Sequence, residues 1–268
     1  MIATAHVIAI ACYVGAAVLA ATLFARPVPL SIQRVSLVLA AGVLAHVFAL
    51  ATLGLQTRAV PITGLGPALS FSGLVLAATL LGVEWSAREV TLSLLVAPLA
   101  ALATTCALLI GFVPGPSAVG VRGAWLLAHI ALSFLGIAAF GMAAAAGAMY
   151  LVQRHELKAH RFERLFRVFP PLATLDRVNH VGSIAGWLGL TIGVVLAVSY
   201  SVQYREMNVP QLAWGIVAWI AAGSVAIGRV MRGWQARRAA VYSSVAFAAV
   251  LLLYVAFRAT AGNGGRFL

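Results

Sequence analysis

Two of the six histidines stand deep inside apolar runs. His46 lies in Ala41-Gly42-Val43-Leu44-Ala45-His46-Val47-Phe48, and His129 in Trp125-Leu126-Leu127-Ala128-His129-Ile130-Ala131-Leu132-Ser133. A neutral imidazole carries one lone pair and one N–H, so in apolar surroundings it either ligates a metal or hydrogen-bonds to a neighbouring helix. On spacing alone both readings stand for both residues. As a pair on different helices they would ligate one metal centre between them. Haem iron is the candidate, since the chain has no spare acid or thiol ligand for another metal. Small residues flank both positions, Gly42 and Ala49 near His46 and Ser133 and Gly136 near His129. A flat macrocycle needs such room.

The remaining polar groups read more simply. His155 and His160 sit in a basic loop and are expected to be solvated. His6 is placed near the outer end of the first run, at the interface, and His180 one turn after Asp176 on the same face. Glu84, Glu89, Glu156, Glu163 and Glu206 fall at run ends or between runs, and Asp176 adjoins Arg177, an ion pair at the interface. With no carboxylate in mid-membrane, an ion-coupled transporter has little support, and no catalytic acid pair is visible. Cys12 and Cys106 lie inside apolar runs without CxxC or CxxCH, so they read as small buried residues rather than redox or haem-attachment sites.

The elements that position these residues follow from composition. Of 268 residues, 63% are hydrophobic and 9% charged, against about 45–50% and about 25% in soluble domains. A soluble enzyme, a disordered chain and a disulfide scaffold are excluded. An all-α polytopic membrane protein remains, a bundle of eight transmembrane helices forming one membrane domain over 1–268. The eight apolar runs are 3–24, 32–55, 67–83, 90–113, 123–152, 173–200, 211–231 and 239–257. Pro27, Pro29, Pro61, Pro67, Pro114, Pro116, Pro170, Pro171 and Pro210 punctuate them, and Pro98 is expected to kink the fourth. Runs apolar all round do not fit the alternating strands of a membrane barrel. No internal repeat of the inverted-transporter type is evident. The first Arg is Arg26, so a cleaved signal peptide is not expected.

Loop charge orients the helices. Alternate loops carry 13 and 5 of the 18 basic residues, and the heavier side is cytoplasmic. Both termini are then outside. The strong cytoplasmic loops are 154–177, which with Arg154 to Lys158 and Arg161 to Arg167 is expected to lie as a short interfacial amphipathic helix, and 229–238. At ~1.5 Å per residue, His46 and His129 lie roughly 13 Å and 9 Å below the outer helix ends. The net charge of +12 belongs to these loops; with no basic run interleaved with stacking aromatics, nucleic acid is not a partner. Gly182, Gly186, Gly189 and Gly193 share one helix face. The fifth run is similarly rich in small residues from Ala138 to Gly147, and both helices are expected at the centre of the bundle, packed within the chain.

Two stretches carry a family resemblance. The first is His129-Ile130-Ala131-Leu132-Ser133-Phe134-Leu135-Gly136-Ile137-Ala138-Ala139-Phe140 with its basic exit Leu151-Val152-Gln153-Arg154-His155-Glu156-Leu157-Lys158. The second is Phe169-Pro170-Pro171-Leu172-Ala173-Thr174-Leu175-Asp176-Arg177 followed by Gly186-Trp187-Leu188-Gly189-Leu190-Thr191-Ile192-Gly193. Over about half the chain they resemble the cytochrome c assembly family of CcsA, CcmC and the HemX/YpjD-type proteins; His46 and the eight helices suit the last branch. The resemblance implies a haem-handling membrane protein. It matches His129 to an outer haem ligand and His46 to the intramembrane histidine of that branch. One departure stands out. The Trp-rich outer loop of the haem-transferring members is missing, with only Trp214-Gly215 and Trp219 in its place, and no His follows His180.

The expectation is therefore a non-enzymatic accessory or haem-handling protein of the bacterial inner (cytoplasmic) membrane. It would bind haem b through His46 and His129 as axial ligands and work with the lipid bilayer and other membrane proteins of a cytochrome maturation or electron-transfer complex. The alternative is a non-catalytic structural subunit whose histidines only hydrogen-bond.

Overall fold

A computed structural model describes residues 1–22, 29–58, 60–113, 121–159, 169–205 and 209–260. Among them are eight α-helices: α1 (Ile2–Thr22), α2 (Pro29–Thr57), α3 (Leu65–Ala87), α4 (Ser93–Ile110), α5 (Val121–Lys158), α6 (Leu172–Tyr204), α7 (Val209–Arg232) and α8 (Ala236–Thr260). All eight are long and apolar enough to cross a membrane. In hydrocarbon every backbone N–H and C=O must be satisfied internally, which long helices do and open strands do not. Of the segment expected as an interfacial helix, Arg154 to Lys158 instead continues α5 without a break, and Arg161 to Arg167 lies outside the described residues.

The helices end where the sequence places its breakers. Gly64 precedes α3 at φ 95° and Gly111 follows α4 at φ 89°, a left-handed backbone that glycine adopts without a Cβ clash. The Gly111 N–H closes α4 on the Ala107 carbonyl at 3.0 Å. Pro98 lies inside α4, and the helix continues through it.

The packing forms two compact units. One holds α1 to α4 together with Val152–Thr174; the other holds α5 up to Leu151, α6 from Leu175, α7 and α8.

In the first unit α1 packs on α2 and α4, and α3 on α4 and α2. The buried face of α1 is Ala5, Ala9, Tyr13, Ala16 and Ala20, a mostly small stripe at helical spacing that lets helices approach closely. Near the other end of this unit Glu84, in the last turn of α3, is buried. It accepts the hydroxyl of Ser36 on α2 at 2.7 Å and that of Ser93, the first residue of α4. No side chain caps α4 through Leu92, so the Glu84 carboxyl stands at the positive end of the α4 dipole. Its place at a helix end was legible in the sequence; its burial and partners were not.

In the second unit the α5–α6 seam is made by the expected small residues. A Cβ on Gly136 would lie 2.7 Å from the Leu190 nitrogen, one on Gly182 2.8 Å from the Ala139 carbonyl oxygen, and one on Gly189 2.9 Å from the Gly136 Cα. Any larger side chain at these points would push the helices apart. Phe140, Ala143, Leu190, Ala222 and Val225 form the core beside this seam, and Phe140 meets Phe247 edge to face at 5.7 Å.

Toward the start of α6, Asn179 joins all four helices of this unit. Its Nδ2 donates to the Ala143 carbonyl at 2.7 Å and to Ser243 Oγ at 2.6 Å, and its Oδ1 accepts from Arg229 Nη2 at 3.1 Å. Arg229 also pairs with Asp176. The sequence neighbour Arg177, expected as the partner of Asp176, is exposed instead. Adjacent helical residues point about 100° apart, whereas Arg229 reaches Asp176 across a helix interface. Asn179→Leu should lower the stability of the detergent-solubilised protein by about 1–3 kcal/mol, since it strands buried polar partners on three helices. A thermal unfolding midpoint equal to that of the unaltered protein would refute this.

Candidate functional site

The first unit contains a closed line of buried polar groups. His6 and Tyr13 stand seven residues apart on one face of α1, His46 on α2 and Ser70 on α3, and each is 0% exposed. Four contacts join them. His6 Nδ1 is 2.9 Å from the Ile2 carbonyl oxygen, and His6 Nε2 is 2.8 Å from Ser70 Oγ. His46 Nε2 is also 2.8 Å from Ser70 Oγ, and Tyr13 Oη is 3.0 Å from His46 Nδ1.

The direction of the line follows from its end. A carbonyl oxygen only accepts, so His6 carries its proton on Nδ1. With neutral rings His6 Nε2 then accepts from the Ser70 hydroxyl, Ser70 Oγ accepts from His46 Nε2–H, and His46 Nδ1 accepts from Tyr13 O–H. Every ring nitrogen and both hydroxyl protons of the four side chains are used. Leaving any one unmade in this apolar core would cost about 1–3 kcal/mol. Phe112 stacks on His6 with ring centroids 4.3 Å apart.

The room expected beside His46 is filled. A Cβ on Gly42 would lie 2.8 Å from the Tyr13 ring, so this glycine admits the tyrosine that His46 binds. His6, expected at the interface, is buried in the network. The fold brings together His6, His46, Ser70 and Tyr13, a grouping the sequence reading missed. The seven-residue spacing of His6 and Tyr13 was its only sequence signal.

His129 belongs to the second unit and is held differently. Its Nδ1–H donates to the Gly193 carbonyl on α6 at 2.8 Å. That bond sets the tautomer and leaves the Nε2 lone pair directed away from α6, the arrangement that orients metal-ligating histidines. Gly193 is there because a Cβ at that position would lie 2.5 Å from Ser133 Oγ on α5. The small residues near His129, Ser133 and Gly136, are thus occupied by the α6 backbone.

Successive turns of α5 continue this stitching toward its start. Trp125 Nε1–H donates to the Leu196 carbonyl at 3.1 Å, and Arg122 Nε–H to Tyr200 Oη at 2.7 Å. The Arg122 guanidinium also lies 5.0 Å from the Tyr204 ring centroid. The aromatic rings close on one another, with Trp125 edge-on to Tyr200 and Tyr204 at 80° and 77°. They lie one to two turns from the His129–Gly193 bond, toward the start of α5 and the end of α6. Residues 122, 125 and 129 repeat at helical spacing, as do 193, 196, 200 and 204, and that spacing was the signal available for this group.

Trp214 and Trp219 are engaged within the unit, the first through Nε1–H to the Val250 carbonyl at 3.3 Å and the second to Thr191 Oγ1 at 2.8 Å. His155 is exposed near the end of α5 and His180 is half-buried, while His160 lies outside the described residues. Among the described residues no three His, Cys, Asp or Glu side chains gather as a metal site.

Comparison with known proteins adds a lineage to this geometry. The sequence profile described as cytochrome C assembly protein matches residues 3–262. The chain is 22% identical over 159 residues to a cytochrome c biogenesis protein CcsA of Prochlorococcus marinus, a match covering 50% of this chain and 50% of that one. It is 29% identical over 86 residues to the CcsA protein of Synechococcus elongatus, covering 31% of this chain and 26% of that one. The chain thus spans half or less of the length of these curated relatives. No solved structure gives a significant match.

Proposed function

Since the chain belongs to the cytochrome c assembly protein family, we propose that it is a haem-handling integral membrane protein, an accessory factor in cytochrome c maturation that binds haem b. His129 in the second unit and His46 in the first would each be an imidazole ligand for haem iron. The observation that carries this reading is the His129 side chain, whose Nδ1–H is anchored on the Gly193 carbonyl at 2.8 Å while its Nε2 makes no hydrogen bond among the described residues. A lone pair held in one direction within an apolar helix pair is what a metal ligand needs from the protein. When bound, haem would supply a redox-active iron. The chain's own part is to fix the ring of His129 through Gly193, to keep water from that bond with Trp125, Tyr200 and Tyr204, and to hold His46 at the centre of its hydrogen-bonded line.

The names of the cyanobacterial relatives support the assignment to cytochrome c biogenesis. The proposal takes residues 1–268 as one membrane domain of the bacterial inner membrane, acting beside other proteins of a maturation or electron-transfer complex. The second reading, a structural subunit, has one observation in its favour: both ring nitrogens of His46 are engaged. A visible absorption spectrum of the purified protein, oxidised and reduced, separates the two. The proposal expects a low-spin haem b spectrum, and protein that neither carries haem nor takes up added haemin would exclude it.

The orientation proposed is both termini outside and the loops 154–177 and 229–238 cytoplasmic, from the loop-charge asymmetry. Single-cysteine labelling in intact cells should find position 164 protected from impermeant reagents until the membrane is opened. Labelling of that position from outside would reverse the topology.

A further inference from the structure

In the second unit a short turn joins α7 to α8, and side chains from both of its flanks gather into one cluster. Gly233, at φ 59°, takes the left-handed backbone that ends α7. The Trp234 N–H then closes back on the Gly228 carbonyl at 3.1 Å. The indole lies against the end of α7, where a Cβ on Gly228 would come within 2.5 Å of the ring, so that glycine makes room for it. Tyr242, in the second turn of α8, meets Trp234 with ring centroids 4.6 Å apart and planes at 41°. Arg238 stands four residues from each, and its guanidinium carbon lies 4.7 Å from the Trp234 centroid and 5.8 Å from the Tyr242 centroid. Aromatic faces hold the plane of a guanidinium while its N–H edges stay open to an acceptor. Among the described residues those edges meet no carboxylate, and no acidic residue follows Glu206 in the sequence.

Arg232, the last residue of α7, and Arg237, the second of α8, flank the same turn, and both are exposed, as is Arg238. Arg229 is not one of this set, since it turns inward to Asp176 and Asn179. Farther along the same two helices the exposed surface is apolar, with Ile227 and Val230 on α7 and Val241 and Val245 on α8. A ligand that fits both parts carries a negative phosphate at the turn and hydrocarbon along the helices. We propose that the α7–α8 turn is a binding site for an anionic phospholipid. Arg238 holds the phosphodiester in the plane set by Trp234 and Tyr242, Arg232 and Arg237 complete the positive rim, and an acyl chain lies on the apolar face. The indole and the phenol sit at headgroup level, where their amphipathic rings are favoured, and a basic cluster at a helix end attracts acidic headgroups. A free phosphate would gain nothing from the apolar face. A zwitterionic phospholipid brings its own ammonium, which three arginines repel. Setting topology needs the charge of this turn alone; it does not need a guanidinium stacked between two rings. The inference is independent of the haem reading and of which side of the membrane the turn faces.

The test uses the full-length protein purified in detergent and equilibrated with phosphatidylglycerol or phosphatidylcholine, the retained lipid being counted by native mass spectrometry. The unaltered protein is expected to retain phosphatidylglycerol in preference to phosphatidylcholine. Arg238→Gln should weaken that retention by about fivefold, the worth of one basic side chain at an anionic surface. Should Arg238→Gln fail to fold, Arg232→Gln combined with Arg237→Gln carries the same decision, with an expected loss of about 25-fold. Arg177→Gln is the control: Arg177 is exposed at the same end of the unit, next to the Asp176 that pairs with Arg229, and its loss should leave retention unchanged. Arg238→Lys keeps the charge and loses the planar stack, so it should bind more weakly than the unaltered protein. Equal retention of the two lipids overturns the proposal, as does unchanged retention by Arg238→Gln. An Arg238→Lys protein equal to the unaltered one, or an Arg177→Gln protein as weak as Arg238→Gln, would reduce the site to diffuse surface charge and overturn it too. Full displacement of the lipid by inorganic phosphate would make this a free-phosphate site and end the lipid assignment.

Discussion

His129→Ala is expected to abolish the low-spin haem spectrum of the purified protein and to weaken haemin binding by more than the ~10–100-fold that removal of a ligand's outer partner costs. The expectation rests on how the ring is held. Gly193 offers its carbonyl at 2.8 Å to His129 Nδ1 because glycines on α6 let the α5 backbone approach closely. The adjacent turn of α5 repeats the device with Trp125 on the Leu196 carbonyl. A side chain so anchored loses little further freedom on binding a metal, which is the energetic meaning of preorganisation. His155→Ala is the control, because His155 is exposed near the end of α5, and its spectrum should match that of the unaltered protein. A His129→Ala protein with that same spectrum would remove His129 from the site and leave His46 and His6 as the histidines to examine.

Reconstituted with an apocytochrome carrying a CxxCH site and no other maturation protein, the chain is expected to yield no covalent haem. Attachment requires haem presented edge-first to two thiols outside the membrane, with the macrocycle lying on a broad apolar face. Trp214 and Trp219 are the tryptophans nearest to the Trp-rich segment of the haem-transferring relatives. Both direct their N–H groups into helix packing, to Val250 and Thr191. The aromatic group near the start of α5 and the end of α6 does not replace that surface. Trp125 meets Tyr200 and Tyr204 at 80° and 77°, so these rings present edges to one another rather than one continuous plane. That result is the one expected of a chain that stores, relays or senses haem, or that acts where other subunits complete the platform. Covalent haem on the apocytochrome in this minimal system would restore a synthase function.

Eight apolar runs broken by proline and glycine are enough to determine eight helices, because in hydrocarbon the backbone has no other way to satisfy its own polar groups. That constraint is local, and the described ends of α1 to α8 fall within a few residues of the runs. The small-residue stripes of α5 and α6 were legible for a related reason, since four glycines on one face permit an approach that other residues forbid; that the two stripes meet each other was decided by the packing. The sequence also singled out His46 and His129, since an imidazole in an apolar run must find a partner somewhere. Which partner it finds is a different kind of question. Ser70 and His6 are 64 residues apart, as are His129 and Gly193, and their meeting depends on the rotation and axial register of one helix against another. Periodicity states which residues share a face but not which face of which neighbour they meet. Asp176 shows the consequence. The chain offered it Arg177 next door, yet Arg229 on α7 pairs with it, because adjacent helical side chains diverge while those on packed helices converge. In the same way Gly42 advertised empty space that only the tertiary structure showed to be filled by Tyr13. Sequence determined which groups had to be satisfied within the membrane; packing between distant helices decided what satisfies them.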